Sequence, residues 1–123
     1  MRILTILCLL GLGVIFMPRP TLSVTMSIVS VTAYSSNCFR QPHYGKTSSG
    51  KRVKEGMVAL SRDVERSLRL KFGNRVLLHG LGVFQFEDRM ASRWRKKADV
   101  FMKSVPNARR FGLKRHVVLV KLA

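Results

Sequence analysis

Two strand-like runs joined by a strongly basic loop limit what this chain can fold into more than any other feature. Residues 83–87 follow a period of two, and residues 99–102 are again strand-like. The loop between them, residues 89–97, carries five Lys or Arg residues. An aspartate stands at each end of the loop, Asp88 before it and Asp99 after it. Because the chain has only six acidic residues, this pairing points to a chemical role for both carboxylates.

The period of two predicts which way Asp88 faces. It places Phe84, Phe86 and Asp88 on one face of the strand, so Asp88 should share the more apolar side. Asp99 should be the first residue of the next strand, and neighbouring strands would bring the two carboxyl groups together. The alternative is that each aspartate caps a turn or pairs with a cation of the loop, namely Arg89, Arg93 or Lys97.

The N-terminus resembles an export signal. Arg2 is followed by residues 3–17, which carry no charge, and then by a short polar segment. This pattern predicts a secretory signal peptide over residues 1–26, cleaved near residues 20–27. An uncleaved membrane anchor is the alternative. Cys8 lies inside the apolar run, which argues against a lipoprotein acceptor, and cleavage would leave Cys38 without an internal disulfide partner.

The charge balance predicts a polyanionic partner. The chain has a formal charge of +17, and removal of residues 1–26 leaves 21 basic and 6 acidic residues, a charge of +15. In an exported protein the available polyanions are the peptide carboxylates of peptidoglycan and the phosphates of other envelope surfaces. Nucleic acid, the default partner of such a chain in the cytosol, is therefore not expected.

The rest of the chain, residues 27–123, indicates one small all-β domain. Short strand-like runs separated by turn residues predict six strands, and two brief helices fit between them. The last strand is apolar enough to be buried on both faces. A long polar loop is expected at residues 36–52. The predicted strands are residues 28–34, 57–60, 75–79, 83–87, 99–102 and 116–122, and the predicted helices are residues 61–68 and 104–110. A Gly80-Leu81-Gly82 turn should join the third and fourth strands as a hairpin, and Gly112 should end the second helix. Six short strands favour a closed barrel, which has no free edges.

Metal chemistry is not expected from the histidines. His43, His79 and His116 are far apart and lack the spacing of metal ligands. Trp94, inside the basic loop, is suited either to stack on a sugar ring or to cover the barrel mouth. The hydroxyl groups of Thr47 and Ser49 are suited either to bind sugar or phosphate or to make local turn hydrogen bonds.

The order of short motifs along residues 31–122 resembles the three-aspartate (3D) domain family, which includes catalytic domains of lytic murein transglycosylases. In chain order the matching motifs are Thr32-Ala33-Tyr34, Thr47-Ser48-Ser49-Gly50, Gly56-Met57-Val58-Ala59, Phe72-Gly73, Glu87-Asp88-Arg89, Asp99 and Phe111-Gly112. Two positions depart from the family pattern. Ser61 stands where the family has its first aspartate, and residues 89–93 replace a Gly-rich segment.

The resemblance implies a six-stranded double-psi β-barrel that cleaves the MurNAc–GlcNAc β-1,4 bond without a metal or cofactor. It implies Asp99 as the catalytic acid and Asp88 as its support. We expect peptidoglycan glycan strands to bind a monomer through a set of side chains from three segments, namely Thr32, Tyr34, Thr47, Ser49, Arg89, Arg93 and Trp94. The rival hypotheses are a non-catalytic basic murein-binding module and an envelope protein that binds nucleic acid or lipid phosphate through residues 89–97.

A single acid is sufficient for this reaction, whereas a hydrolase uses two carboxylates. In lytic cleavage the acid protonates the leaving oxygen, and the resulting carboxylate accepts the proton of the sugar's own C6 hydroxyl. The product is a 1,6-anhydro end. Burial and the charge of Asp88 would raise the pKa of Asp99, while the surrounding cations would lower it.

Overall fold

The structure, a computed structural model, describes residues 25–35 and 45–122. The proposed signal segment up to residue 24, Cys38, His43 and part of the polar loop lie outside these residues. The strands, in chain order, are β1 (Met26–Tyr34), β2 (Met57–Leu60), β3 (Arg75–Leu78), β4 (Gly82–Arg89), β5 (Lys97–Phe101) and β6 (Lys114–Lys121). The helices are α1 (Arg62–Ser67) and α2 (Val105–Phe111). No helix in this part of the chain has the length and apolar character needed to cross a bilayer.

The six strands form a closed barrel in the order β1-β5-β2-β4-β3-β6. The pairs β1–β5 and β2–β4 are parallel, and the other four pairs are antiparallel. Closure pairs every strand on both sides, which removes the free edges that a small sheet would otherwise expose. This is the all-β double-psi β-barrel with short helices that the sequence predicted, so the fold class is confirmed.

The core lies inside the barrel and consists of apolar side chains, most of them aliphatic and from alternate strand positions. Val58, Leu60, Phe86, Val100 and Leu119 are among its members. The prediction that the last strand is buried on both faces is wrong, because Leu119 is the one buried residue of β6. Alternation turns Val118 and Val120 to the outside of the barrel, where they stay half-buried.

The predicted hairpin is confirmed by β3 and β4, whose register pairs Leu77 with Val83. The prediction for β5 was wrong at its start, since the strand begins at Lys97 rather than at Asp99. Pairing with the long first strand sets this start, because Ser30 already has Lys97 as its register partner. Asp99 therefore lies in the middle of a strand, where both of its neighbours are ordered.

Both helices form near their predicted positions. Ser104 caps α2 by accepting a hydrogen bond from the Asn107 N–H at 3.3 Å, and Gly112 ends this helix with φ +64°. Ser61 occupies the N-cap position of α1, but its hydroxyl makes no cap hydrogen bond. It accepts a hydrogen bond from the Lys97 N–H at 3.0 Å instead. Ser61 therefore joins the start of α1 to the start of β5.

Candidate active site

The strand register brings the two aspartates to the same region of the barrel surface. Asp99 of β5 pairs with Thr32 of β1 on one side and with Ala59 of β2 on the other. Ala59 in turn pairs with Asp88 of β4. Register partners share a face of a sheet, so the four residues form one row across four strands. We call Thr32, Asp99, Ala59 and Asp88 the site row.

The site row lies on the outside of the barrel, because the preceding and following residues point into the core. Val31, Val58, Ala98 and Val100 are all fully or almost fully buried. Two strand spacings separate the Cα atoms of Asp88 and Asp99, a distance of about 10 Å. Between them stands Ala59, whose single methyl group leaves the space above it open. The two carboxyl groups thus lie on either side of an open space above Ala59.

A β-bulge in β4 puts Asp88 in this row. The register pairs Val58 with Phe86 but Ala59 with Asp88, so Glu87 is the extra residue. The prediction that Asp88 shares a face with Phe86 is therefore wrong. Without the bulge, Asp88 would point into the apolar core. The extra residue turns it outward, to the side that carries Asp99.

The loop before β2 holds the Asp88 carboxylate in place. Asp88 Oδ1 accepts hydrogen bonds from the Ser48 N–H at 3.0 Å and from the Ser48 hydroxyl at 2.6 Å. The Arg89 N–H donates a third at 2.9 Å. One oxygen thereby receives three donors, which fixes the orientation of the carboxyl group. The sequence analysis assigned no role to Ser48.

Glu87, the bulge residue, anchors the same loop. Its side chain is 1% exposed and accepts hydrogen bonds from Ser49 Oγ at 2.5 Å, Gln85 Nε2 at 2.8 Å and Lys51 Nζ at 3.3 Å. Burial acts to raise the pKa of Glu87, but these donors outweigh it and hold the pKa below its usual value. The carboxylate thus ties residues 48–51 to the bulge.

The hydroxyl groups of Thr47 and Ser49 take part in this loop structure. The Thr47 hydroxyl donates to the Lys51 carbonyl at 3.1 Å and lies 2.8 Å from the Ser49 hydroxyl. Both side chains were predicted to bind substrate. The structure brings neither of them to the cleft: Thr47 makes local turn hydrogen bonds, and Ser49 bonds to Thr47 and to Glu87.

Asp99 lies in an environment that raises the pKa of its carboxyl group. Thr32 Oγ1 donates a hydrogen bond to Asp99 Oδ1 at 3.0 Å. Burial raises the pKa of Asp99 and the negative charge of Asp88 adds to this effect, while the Thr32 hydrogen bond and the Lys97 charge oppose it. The net direction is upward. The structure thus answers the question that the sequence left open, because burial outweighs the surrounding cations.

A cleft of about 310 Å³ opens over the site row. Its lining residues are Tyr34, Ala59, Asp88, Arg89, Met90, Ala91, Trp94 and Asp99. Tyr34 packs edge-on against Phe101, with ring centroids 5.4 Å apart. Burial raises the pKa of the Tyr34 hydroxyl, and the charges of Asp88 and Asp99 raise it further. The phenol therefore stays protonated beside both carboxyl groups.

The basic loop packs its cations on Trp94 rather than on the aspartates. Lys97 Nζ lies 3.8 Å from the centroid of the Trp94 ring, and the Arg93 guanidinium lies 5.1 Å from it. Arg89 makes a two-point ion pair with Glu65, at 2.6 and 2.5 Å. Among residues 25–35 and 45–122, neither Asp88 nor Asp99 is in an ion pair. The alternative, that these cations form ion pairs with the two aspartates, is therefore not observed among the described residues.

Ser61, which the resemblance aligned with the first aspartate of the 3D family, lies outside the cleft. It is fully buried, its N–H donates to the Lys97 carbonyl at 2.9 Å, and its hydroxyl accepts from the Lys97 N–H. Asp63, two residues later, accepts a hydrogen bond from the Lys96 N–H at 2.9 Å. Both residues position the start of β5, the strand that carries Asp99.

The predicted site residues thus divide into three groups. Asp88, Asp99, Tyr34, Arg89 and Trp94 line the cleft, and Thr32 reaches it through its hydrogen bond to Asp99. The other three predicted residues, Thr47, Ser49 and Arg93, do not line it. The roles of Ser48, Ala59 and Glu87 were not predicted from the sequence, although three of the motifs that carried the family resemblance contain these residues.

Comparison of the chain with models of known protein families finds no match, and comparison with curated proteins finds none. The site must therefore be interpreted from its own geometry. In the part of the chain that the structure describes, no three His, Cys, Asp or Glu side chains are grouped so that they could hold a metal ion. The cleft instead offers one carboxyl group with a raised pKa, one hydrogen-bonded carboxylate, a phenol and an indole.

Proposed function

We propose that this protein is an exported lytic transglycosylase that cleaves the MurNAc–GlcNAc β-1,4 bond of peptidoglycan. The observation that carries the proposal is the site row, which places Asp99 and Asp88 on either side of Ala59 in one cleft. The raised pKa of Asp99 favours the protonated form that a general acid needs. The family resemblance adds support through the positions of the same two aspartates.

Asp99 acts first as an acid and then as a base. It donates its proton to the glycosidic oxygen as the bond from that oxygen to the MurNAc C1 breaks. The C6 hydroxyl of the same MurNAc then attacks C1, and the Asp99 carboxylate takes the hydroxyl proton. The proton count balances, because Asp99 ends the cycle protonated. The products are a free GlcNAc hydroxyl and a 1,6-anhydro-MurNAc end.

The other cleft residues support this step. The Asp88 carboxylate, fixed by Ser48, favours the protonated form of Asp99 and stabilises positive charge that develops at C1. The Thr32 hydroxyl orients the Asp99 carboxyl group. Trp94 lines the cleft, where its indole can contact a sugar ring.

A non-catalytic murein-binding module is the second candidate, favoured by the exposed cations of the basic loop. Such a module would use the same cleft and charge to hold glycan strands without cleaving them. In either case we expect a monomer in the periplasm or cell envelope, exported through the apolar N-terminal segment.

Replacement of the two aspartates distinguishes the candidates. Asp99→Asn keeps the size of the side chain but cannot donate an acidic proton, so turnover should fall about 10²–10⁴-fold. Asp88→Asn should reduce turnover less, because Asp88 acts through its charge. Binding to murein sacculi should persist in both variants. A wild-type protein that binds sacculi but never solubilises them would favour the binding module.

A further inference from the structure

A second cavity, rich in arginine, adjoins the cleft. It has a volume of about 410 Å³ and shares Arg89 with the cleft. We call it the arginine pocket, and its lining residues are Arg62, Glu65, Arg66, Arg89, Ser92 and Arg95. It lies between helix α1 and the basic loop.

The arginine pocket carries positive charge that nothing in the described part of the chain neutralises. Glu65 pairs with Arg89, but Arg62, Arg66 and Arg95 have no carboxylate partner among residues 25–35 and 45–122. Three like charges around one cavity repel each other, and a bound anion would relieve that repulsion. The unbalanced charge therefore points to an anionic ligand.

Hydrogen bonds hold two of these arginines in place. Arg62 Nε donates to the Met90 carbonyl at 3.4 Å, and Arg66 Nε donates to the Arg62 carbonyl at 3.3 Å. Both bonds use Nε and leave the terminal nitrogens for a ligand. A guanidinium presents these donors as a fork that matches the two oxygens of a carboxylate.

We propose that the arginine pocket binds the carboxylates of the peptide that murein carries on its MurNAc units. This inference rests on the proposed function, because a MurNAc in the cleft would hold its peptide next to its own ring. Arg89 is common to both cavities, so a peptide that leaves the sugar has only a short distance to cover. The pocket would then select glycan that still carries its peptide.

Direct binding of the sugar-free peptide tests the pocket without any cleavage step. Isothermal titration of the full chain with the free murein peptide should show binding, and amidation of the peptide carboxylates should weaken it at least tenfold. The double variant Arg66→Gln with Arg95→Gln should weaken it to a similar degree, since it removes charge-assisted hydrogen bonds. The control is Arg109→Gln with Arg110→Gln, which removes the same charge from exposed positions of α2 outside the pocket.

Equal loss in the control variant, or no binding of the peptide, would overturn the inference. Tighter binding of inorganic phosphate than of the peptide would overturn it in favour of envelope phosphates. The two proposals can also fail separately. Peptide binding by a protein that never cleaves glycan would end only the transglycosylase proposal. If the protein cleaved peptide-bearing and amidase-stripped strands equally, and the pocket variants did not change this, only the proposal that the arginine pocket binds the peptide would fail.

A different observation concerns the opposite side of the barrel. The register places Met26 of β1 beside Val120 of β6, Val120 beside Leu77 of β3, and Leu77 beside Val83 of β4. All four side chains point outward. Ile28 pairs with Val118 in the same way. We call these six residues the apolar face.

Three of the six residues of the apolar face are exposed in the described part of the chain, and the other three, Leu77, Val118 and Val120, are half-buried. Met26 is 57% exposed, Ile28 59% and Val83 50%. A contiguous exposed apolar surface on a small protein marks an interaction site. In the barrel order this surface centres on β6 and β3, whereas the site row centres on β5 and β2. The two surfaces therefore lie on opposite sides of the barrel.

We infer that the apolar face rests on a lipid bilayer, with the cleft turned away from it. The charge-free run of residues 3–17 ends nine residues before Met26, which is itself part of the face. In the uncleaved chain, where residues 3–17 serve as the membrane anchor, this short connection holds the apolar face at the membrane surface. Arg75 lies exposed in the next outward position of β3, where it suits an anionic lipid headgroup.

Environment-sensitive labels test this orientation in the full chain. In a Cys8→Ser, Cys38→Ser background, a nitrobenzoxadiazole label at Val83→Cys should shift to the blue on vesicles of phosphatidylglycerol and phosphatidylethanolamine. The matched label at Ala91→Cys, in the cleft, should not shift. Equal shifts at both positions, or none, would overturn the inference. Protection of the Val83→Cys label without vesicles would also overturn it, because another part of the chain or a second copy would then cover the face.

Discussion

Replacement of Asp99 by asparagine should weaken activity and strengthen the fold at neutral pH. Burial raises the pKa of Asp99, so the folded state binds a proton more tightly than the unfolded chain does. Ionisation of Asp99 therefore lowers the free energy of unfolding as pH rises through the folded pKa. Asn carries no charge to desolvate, and its amide oxygen can still accept the Thr32 hydrogen bond. Asp99→Asn should therefore not show this fall in the free energy of unfolding as the pH rises.

The magnitude follows from the pKa itself. At pH 7 the gain in unfolding free energy should be about 1.4 kcal/mol for each unit by which the pKa of Asp99 exceeds its unfolded value. The gain should vanish below about pH 3.8, where both states are protonated. Urea unfolding at several pH values gives the free energies, and an NMR titration of the Asp99 carboxyl group gives the pKa. The stability gain calculated from the measured pKa should equal the gain measured by urea unfolding.

Asp63→Asn is the control, because the pKa of Asp63 is shifted downward, opposite to that of Asp99. Burial acts to raise the pKa of Asp63, but hydrogen bonds, including one from the Lys96 N–H, hold it below its usual value. This variant should lose stability at pH 7, and the loss should shrink as pH falls through the low folded pKa. If Asp99→Asn behaved in the same way as Asp63→Asn, Asp99 would be a structural carboxylate and the reasoning would be refuted.

Three further predictions concern the supports of the site. Ser48→Ala removes a hydrogen bond to Asp88. It should lower the unfolding free energy by about 1 kcal/mol in urea titrations and should also reduce turnover. Unchanged turnover would show that Asp88 does not need this hydrogen bond. Ser61→Ala leaves the buried Lys97 N–H without its acceptor and should cost about 1–3 kcal/mol, with murein binding retained; a neutral effect on stability would contradict this. Neutralising four loop cations should flatten the salt dependence of protein pelleting with sacculi, because salt screens the attraction between exposed charges over about 10 Å at 0.1 M. An unchanged slope would exclude the loop as the docking surface. These cations are Arg93, Arg95, Lys96 and Lys97.

The sequence predicted the features that depend on local pattern. The Gly80-Leu81-Gly82 turn between two strand-like runs predicted the β3–β4 hairpin, and Ser104 with Gly112 predicted both ends of α2. The six runs of strand-forming residues were enough to predict a closed barrel. These signals are local, because turns and caps depend on a few neighbouring residues.

The features that depend on distant partners could not be predicted in the same way. The bulge at Glu87 follows from the register between β2 and β4, which no alternation pattern within β4 reveals. The role of Ser48 arises from a contact with Asp88, forty positions later in the chain. The pKa of Asp99 depends on how deeply the folded cleft buries it, a quantity that only the assembled barrel determines.

Mass spectrometry of the muropeptides released from sacculi tests the central claim most directly. The full chain should release fragments that end in 1,6-anhydro-MurNAc, and Asp99→Asn should release about 10²–10⁴-fold fewer while it still binds the sacculi. Fragments with reducing ends would mean that water attacks C1 and that the protein is a hydrolase. Sacculi that bind the wild-type protein and release no fragments would contradict the enzymatic account and leave a murein-binding module.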